Sequence, residues 1–382
     1  MTSKGYPFII AGIQLFIPLI VLLDWLFNFG LLKMQLGLYL KSLVTLIFLY
    51  VFISHRYRDF IYKNVLLYII LLYILYSIFS DNILGNLYIT ARILYWILGS
   101  FAFYYFFTHD LISERQLTRM LVITAIIAGI FTFILMSQSE EHQNASAYLL
   151  LWCLPLLLHL NKSKLVSIVI VFSMAAIVIT IKRGALVALL VSLVVYFLAK
   201  LRISEKNMSK LRILLNSLVF LSIVGIILYL RWDLITERFS DKGGSGRDKL
   251  YTLIINHYLS GDILDISFGY GINSVERMTS HKLNDPQYGV AAHSDWLQHL
   301  HDFGILGIVL MVSLHVSFIK LIVFHAKFRT NTLPFLSMTY TIFLLSTVYS
   351  FILTTPDAII LGIILALISF ETNQYSPNAG NS

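Results

Sequence analysis

The sequence predicts an all-α, polytopic membrane protein. Hydrophobic residues make up 58% of its 382 residues and charged residues only 13%, whereas soluble domains are about a quarter charged. The mean hydropathy is +0.80. Uncharged stretches close to the roughly 20 residues that cross a bilayer recur along almost the whole chain. These observations leave no room for a large soluble domain, so we treat residues 1–382 as a single membrane domain.

Twelve transmembrane helices are predicted from these apolar stretches. The expected spans are 6–28, 31–53, 64–80, 83–107, 119–137, 145–160, 165–181, 184–201, 211–230, 300–324, 333–353 and 356–371. The first stretch is too long for a signal-peptide core and no small-residue cleavage site follows it, so we retain it as a span.

The charges in the loops predict that both termini are cytoplasmic. With the N-terminus inside, the inner loops contain basic residues such as Arg56, Arg115 and Lys200, and the outer short loops contain acidic residues such as Glu140 and Asp357. This is the positive-inside pattern. The formal charge of +8 therefore follows from topology and does not indicate nucleic-acid binding.

One long connection, residues 231–292, lies between spans nine and ten on the predicted outer side. It contains acidic and basic residues and is expected to be a solvated segment. Connections of this length in a compact protein are usually functional. Within it, Gly269 and Gly271 of FGYG indicate a tight turn or a close backbone approach.

Lys182 and Arg183, in ITIKRGALVALL, break the positive-inside pattern on the outer side. A cation at a membrane interface is commonly a snorkelling anchor. The alternative is an anion bound at the outer face, where Gly184 would let a ligand or a helix approach the backbone closely.

A second candidate anion site is DKGGSGRDKLYTLIINHYL, residues 241–259. Its glycines and Ser245, a candidate N-cap, lead into an amphipathic helix. Arg247 then falls in the first turn, where the helix dipole disfavours a cation. Free N–H groups near Gly246 and an arginine fork suit a phosphate; an exposed salt bridge to Asp248 is the alternative.

The stretch AAHSDWLQHLHDFGILG, residues 291–307, concentrates three histidines and two aspartates in a short segment. If a helix begins near His293, then Asp295, His299 and Asp302 share one face, while His293, Leu297 and His301 share another. A metal site is one interpretation, although no HExxH or CxxC pattern accompanies it. Helix caps and water-exposed rims are the ordinary alternative, and His293 is a candidate general base.

Two further groups are candidate substrate contacts. His142 and Asn144, in SEEHQNASAYLLL, either line a sugar cleft or form an ordinary polar loop in which Asn144 caps the next helix. Arg92 lies within a span, where ionisable groups face a cavity or a partner, and it is near the outer end of its helix.

Taken in order, these segments resemble the O-antigen polymerase/ligase superfamily of bacterial envelope glycosyltransferases. The resemblance is carried by KRGALVALL with Arg183, by SGRDKLY with Arg247, by FGYG, and by AHSDWLQHLHDFGILG. In the last of these, His293-Ser294, nine residues and then Gly304-x-x-Gly307 match the family pattern. The likeness covers roughly residues 140–310.

The resemblance implies a GT-C-like membrane enzyme of the bacterial inner membrane whose active site faces the periplasm. It implies an inverting, metal-independent transfer of glycan from undecaprenyl diphosphate, with no cofactor. By the same resemblance, Arg183 and Arg247 would hold the diphosphate, and His293 would activate the acceptor hydroxyl or orient the reacting groups. Membrane lipids and a chain-length regulator are the further partners it suggests.

Three functions are compatible with this reading of the sequence. A polysaccharide polymerase for O-antigen, capsule or exopolysaccharide is the leading one, and a ligase that transfers finished glycan to lipid A core is its rival within the family. A transporter or lipid-linked-glycan flippase fits the topology, but such proteins place polar sites near the midplane and contain internal repeats, and the sequence shows no repeat.

Overall fold

The structure is a computed structural model that describes residues 16–23, 26, 36–78, 83–138, 145–180, 182–205, 207–230, 247–282, 289–350, 352–355 and 357–375. Over these residues the regular secondary structure is helical. Residues 16–23 are helical, and the helices that follow are α1 Leu36–Ser54, α2 Lys63–Ile78, α3 Ile83–Thr108, α4 Glu114–Gln138, α5 Ala145–His159, α6 Lys164–Ile179, α7 Arg183–Ile203, α8 Asn207–Leu230, α9 Arg247–Leu259, α10 Ile263–Phe268, α11 Ser274–Lys282, α12 Asp295–Phe328, α13 Thr332–Tyr349 and α14 Ala358–Gln374.

Five helical segments in the described part of the chain are long and apolar enough to cross a membrane. They are Gly85–Thr108, Glu114–Ile134, Arg183–Ile203, Asp295–Phe328 and Thr332–Tyr349. Shorter apolar helices of 10–17 residues accompany them, including most of α1, α2 and α6. The protein is therefore a helical membrane protein, and the full set of twelve spans stays a prediction.

Apolar residues surround the longer helices on nearly every side, as expected for membrane spans. Outward-facing side chains such as Ile53, Ile168 and Val323 are 63–73% exposed, which suits contact with lipid. Inward-facing aromatic residues such as Trp96, Trp152 and Phe318 are fully buried. α13 packs against α7, and α14 packs against α3, so these four helices form much of the interior.

Polar contacts define the end of the bundle that lies away from the start of α12, and we call it the opposite end. The ring of His55 lies 6.5 Å from that of His109, and the amide of Asn373 donates to the carbonyl of Asp59 at 2.9 Å. His159 pairs with Glu371 at 2.6 Å. These contacts bring together the ends of α1, α3, α5 and α14.

The other end, which we call the site end, carries the start of α12 and the long connection. The ring of His299, near the start of α12, lies 6.2 Å from that of Tyr73, and Phe318, farther along, lies 5.4 Å from Tyr62. α2 and α12 are therefore antiparallel. Lys63, the first residue of α2, is at the opposite end.

Several predicted boundaries are corrected by the structure. The tenth predicted span, 300–324, lies within a longer helical segment, α12, that begins at Asp295 and ends at Phe328. A kink at Gly304, with φ 63° and ψ −148°, divides this segment into two parts. α4 begins at Glu114, five residues before the predicted start of its span at residue 119. The difference arises because the helix includes polar residues that precede its apolar part. α13 ends at Tyr349, four residues before the predicted end of its span.

The long connection contains more structure than the sequence indicated. One amphipathic helix was predicted, and α9, α10 and α11 are present. Ile254, Val275, Met278 and Ala292 form a small buried cluster of their own. The described part of the connection is therefore a folded cap packed on the start of α12.

Candidate functional site

The carboxyl end of α13 is the point at which three segments meet. The hydroxyl of Ser294 donates to the carbonyl of Thr347 at 3.3 Å, and the N–H of Asp295 donates to the carbonyl of Ser350 at 3.0 Å. A guanidinium nitrogen of Arg247 donates to the carbonyl of Tyr349 at 3.2 Å. The last carbonyls of a helix have no partner within that helix, so they anchor both α12 and the cap.

Arg247 lies in the first turn of α9, as the sequence predicted, and it is partly buried. Its placement at a helix start is less costly than the sequence implied, because the carbonyl end of α13 supplies a favourable dipole. Within the described residues, the bond to Tyr349 is the hydrogen bond that its guanidinium makes. The described residues leave the remaining donors of the fork without a partner, and such a fork suits an anion.

Lys182, Arg247 and His293 lie close enough to influence one another electrostatically. The pKa of Lys182 is lowered to about 8, mainly by burial and then by the charge of Arg247, while Asp357 acts in the opposite direction. Burial also lowers the pKa of His293, and Arg247 and then Lys182 add to that effect. Two cations held together in a partly buried place repel each other, and a bound anion would stabilise both.

His293 has an unusual backbone conformation, with φ 52°. It precedes α12, whose N-cap is Ser294, so the predicted helical face of His293, Leu297 and His301 is wrong. Its carbonyl accepts a hydrogen bond from the hydroxyl of Tyr251 at 3.3 Å. Histidine tolerates the left-handed region better than most residues, and its lowered pKa keeps the imidazole neutral near pH 7, as a general base requires.

Lys182 and Arg183 stand at the start of α7. Lys182 is the N-cap, and its ammonium lies 4.4 Å from the centre of the Tyr148 ring. A Cβ on Gly184 would lie 2.7 Å from the Tyr148 hydroxyl and 2.9 Å from the Cβ of Tyr349. The close approach predicted at Gly184 is therefore made by neighbouring helices, and it brings α7 against the carboxyl end of α13. Arg183 is partly buried beside this contact.

FGYG and the kink of α12 are packed backbone to backbone. A Cβ on Gly304 would lie 2.6 Å from the carbonyl oxygen of Ile266 and 2.7 Å from the nitrogen of Gly269. The N–H groups of Tyr270 and Gly271 donate to carbonyls of α12 at 2.9 Å each. Gly269 has φ 75° and Gly271 has φ 88°, which confirms the predicted turn and close backbone approach.

Asp302 and His301 fasten the cap to α12. The carboxylate of Asp302 accepts from the hydroxyl of Ser274 at 2.7 Å and from its N–H at 3.0 Å. A ring nitrogen of His301 lies 2.6 Å from the same hydroxyl, and its other nitrogen lies 3.0 Å from His257. A water-exposed rim was one interpretation of these side chains, and it is wrong for both, because the cap covers and buries them.

Asp295 has a comparable structural role. It is fully buried, and its two carboxylate oxygens accept from the N–H groups of Ile352 at 2.8 Å and Leu353 at 3.3 Å. His299 is also buried and bonded to the carbonyl of Asp295 at 2.8 Å. Among the described residues, no group of three or more histidine, cysteine or acidic side chains is arranged to hold a metal ion.

Arg92 lies beside a different part of the cap. Its guanidinium stacks over the Tyr88 ring at 4.2 Å and donates to the Tyr88 hydroxyl. The pKa of Glu276 in α11 is raised to about 7, by burial and then by Asp302, and the charge of Arg92 acts in the opposite direction. Of the other predicted contacts, His142, Asn144, Ser245 and Gly246 lie outside the described residues.

A comparison with protein-family models matches residues 168–312 to the family described as O-antigen ligase. The match over this segment supports the resemblance of the chain to the O-antigen polymerase/ligase superfamily. No curated protein matches the chain. The matched segment holds Lys182, Arg183, Arg247 and His293, so the superfamily segment and the clustered residues of the site end coincide.

The tyrosines around these clustered residues were not singled out from the sequence. Tyr148, Tyr251 and Tyr349 contact Lys182, His293 and Arg247 respectively. Tyr251 lies within the SGRDKLY segment, one helical turn after Arg247, so its side of α9 was predictable. Tyr148 and Tyr349 are distant in sequence and carry no local signal.

Proposed function

We propose that this protein is a polysaccharide polymerase that transfers glycan from undecaprenyl diphosphate to a lipid-linked repeat unit at the periplasmic face of the inner membrane. The observation that carries the proposal is the cluster of Lys182, Arg247 and His293 within the superfamily segment. It supplies cations for a diphosphate and a neutral imidazole beside them.

The reaction would use these groups as follows. The acceptor hydroxyl attacks the anomeric carbon, and the bond from that carbon to the diphosphate oxygen breaks with its electron pair left on the diphosphate. Arg247, with Arg183 and Lys182, stabilises the charge that develops there. His293 accepts the hydroxyl proton or orients the hydroxyl, and attack opposite the leaving group inverts the anomeric configuration. Arg92 would contact the donor's anionic headgroup, and His142, Asn144 and Gly246 would contact the substrate.

The assay is elongation of purified undecaprenyl-diphosphate repeat unit by the purified protein in lipid. The expected products are a ladder of longer glycans and free undecaprenyl diphosphate, with or without EDTA. Loss of turnover in EDTA with recovery in zinc would contradict the metal-independent mechanism.

A ligase that transfers finished glycan to lipid A core is the second candidate, because the matching family model is described as O-antigen ligase. The two functions share the donor and differ in acceptor. Supplying one donor glycan with either a second lipid-linked unit or lipid A core separates them, since a polymerase extends only the first.

The proposed orientation has its own test, because every role above depends on the periplasmic side. Reporter fusions after Lys63, Lys164 and Arg212 are expected to be cytoplasmic, and a fusion within residues 241–285 is expected to be periplasmic. A cytoplasmic signal from the latter would overturn the mechanism.

A further inference from the structure

A basic pocket lies at the opposite end, away from the proposed active site. It is formed where α1 ends and α2 begins, and its volume is about 420 Å³. Its lining comprises Phe52, His55, Arg56, Tyr57, Arg58, Lys63 and Leu67. We call it the α1–α2 pocket.

The pocket contains basic side chains that are not paired with acidic side chains among the described residues. Within the described residues, Arg56, Arg58 and Lys63 form no ion pair, whereas exposed Lys162 at the same end pairs with Glu114. Asp59 is the acidic residue of the connecting turn, and its carbonyl is bound by Asn373. Three cations around one cavity favour an anionic occupant.

The wall of the pocket nearer the middle of α1 and α2 is apolar. Phe52 and Leu67 lie about one turn inside α1 and α2 from the charged residues, and Phe52 stacks on Tyr57 with ring centres 5.8 Å apart. Beyond this wall, Leu46, Ile53 and Leu71 on the outer surfaces of the same helices are 51–73% exposed. An occupant with a charged head and apolar chains would contact all of these surfaces.

We propose that the α1–α2 pocket binds the phosphate headgroup of an anionic membrane phospholipid. The phosphate contacts Arg56, Arg58 and Lys63, and the acyl chains lie along α1 and α2. Basic pockets between transmembrane helices recognise anionic headgroups in this way. α2 has 16 residues, which at 1.5 Å per residue separates its two ends by about 24 Å, so this lipid is distinct from the glycan donor at the site end.

The test measures lipid retention by native mass spectrometry of the full chain released from nanodiscs. The nanodiscs contain phosphatidylcholine with cardiolipin or phosphatidylglycerol. The wild type is expected to retain the anionic lipid, and the triple variant Arg56→Ala, Arg58→Ala, Lys63→Ala is expected to weaken retention by about fivefold for each cation removed. Because two of these side chains are exposed and Lys63 is partly buried, helicity and size-exclusion profile should be unchanged.

The matched control removes the same charge at the same end but outside the pocket. Arg115, Arg119 and Lys164 are exposed, and their triple alanine variant should retain lipid as the wild type does. Equal losses of lipid retention in both variants would show that general surface charge binds the lipid, and would contradict the proposed pocket. Two other results would also overturn it: unchanged retention in the pocket variant, or displacement of the lipid by millimolar inorganic phosphate, which would indicate a soluble phosphate ligand.

Discussion

The hydroxyl of Tyr251 donates to the carbonyl oxygen of His293 at 3.3 Å, which links the helix that carries Arg247 to the residue that precedes α12. Tyr251 lies one turn after Arg247 on α9, and His293 adjoins Ser294 and Asp295, which are tied to the end of α13. The cation and the imidazole are therefore positioned by one set of contacts. A change on either side is expected to displace the other.

Arg247→Lys is expected to reduce elongation strongly while protein level and helicity stay normal. Lysine keeps the charge but cannot offer two parallel N–H groups to a diphosphate while also binding the Tyr349 carbonyl. The measurement is the rate of undecaprenyl diphosphate release at saturating acceptor. Lys249→Ala, an exposed cation on the same helix, is the control and should match the wild type; near-normal activity of Arg247→Lys would make Arg247 an anchor only.

The alkaline limit of activity is expected near pH 8. The pKa of Lys182 is lowered to about 8 by burial and by Arg247, so its charge is lost as pH rises through that value and donor binding weakens. Lys182→Arg keeps its charge, and the alkaline limb of the kcat/KM profile should move to higher pH with the acidic limb in place.

Removing the charge of Lys182 is expected to shift the acidic limb of the kcat/KM profile to higher pH. Lys182 lowers the pKa of His293, so Lys182→Met should raise that pKa, and the imidazole would be protonated at higher pH. The acidic limb of kcat/KM should then shift upward. Identical acidic limbs in Lys182→Met and the wild type would show that His293 is not the group titrating there.

Gly304→Ala is expected to destabilise the docked cap. Its conformation, φ 63° and ψ −148°, is nearly confined to glycine and costs other residues about 1–3 kcal/mol, and the added methyl would meet the Ile266 carbonyl. Faster hydrogen exchange over residues 263–271 would report the loss. Gly225→Ala, with nothing within 4 Å of the new Cβ, should be neutral or slightly stabilising; equal effects would contradict the backbone contact.

Local sequence patterns predicted the membrane class, most helices and the segments that carry the site. Arg247 could be placed in the first turn of a helix from the glycines before it, and the need for glycine in FGYG was visible in the spacing. The apolar pattern marks only the apolar part of a helix, which is why the predicted span began at residue 300 although α12 begins at Asp295.

Long-range contacts could not be predicted in this way. Arg247 and Tyr349 are 102 positions apart, and hydrophobic periodicity does not determine which helix end meets which loop. The burial of Asp295, His299 and Asp302 likewise depends on the cap and on the α13–α14 connection. In the sequence alone these polar residues resemble a metal site or an exposed rim.

His299 and His301 would be natural controls for His293, since they lie in the same polar segment. The structure makes them unsuitable, because both are buried and hydrogen-bonded, and alanine would leave their partners unsatisfied. His109, exposed at the opposite end, is the better control.

The most direct test of the mechanism compares His293→Asn, His293→Gly and His109→Asn in the elongation assay. Asparagine and glycine both accept the left-handed backbone of residue 293, so the fold and the Tyr251 contact are preserved while the imidazole is removed. We predict that both variants lose about 10²- to 10⁴-fold in rate and that His109→Asn keeps wild-type activity. Normal elongation by His293→Asn or His293→Gly would show that residue 293 serves only the backbone turn, and would contradict its proposed part in glycosyl transfer.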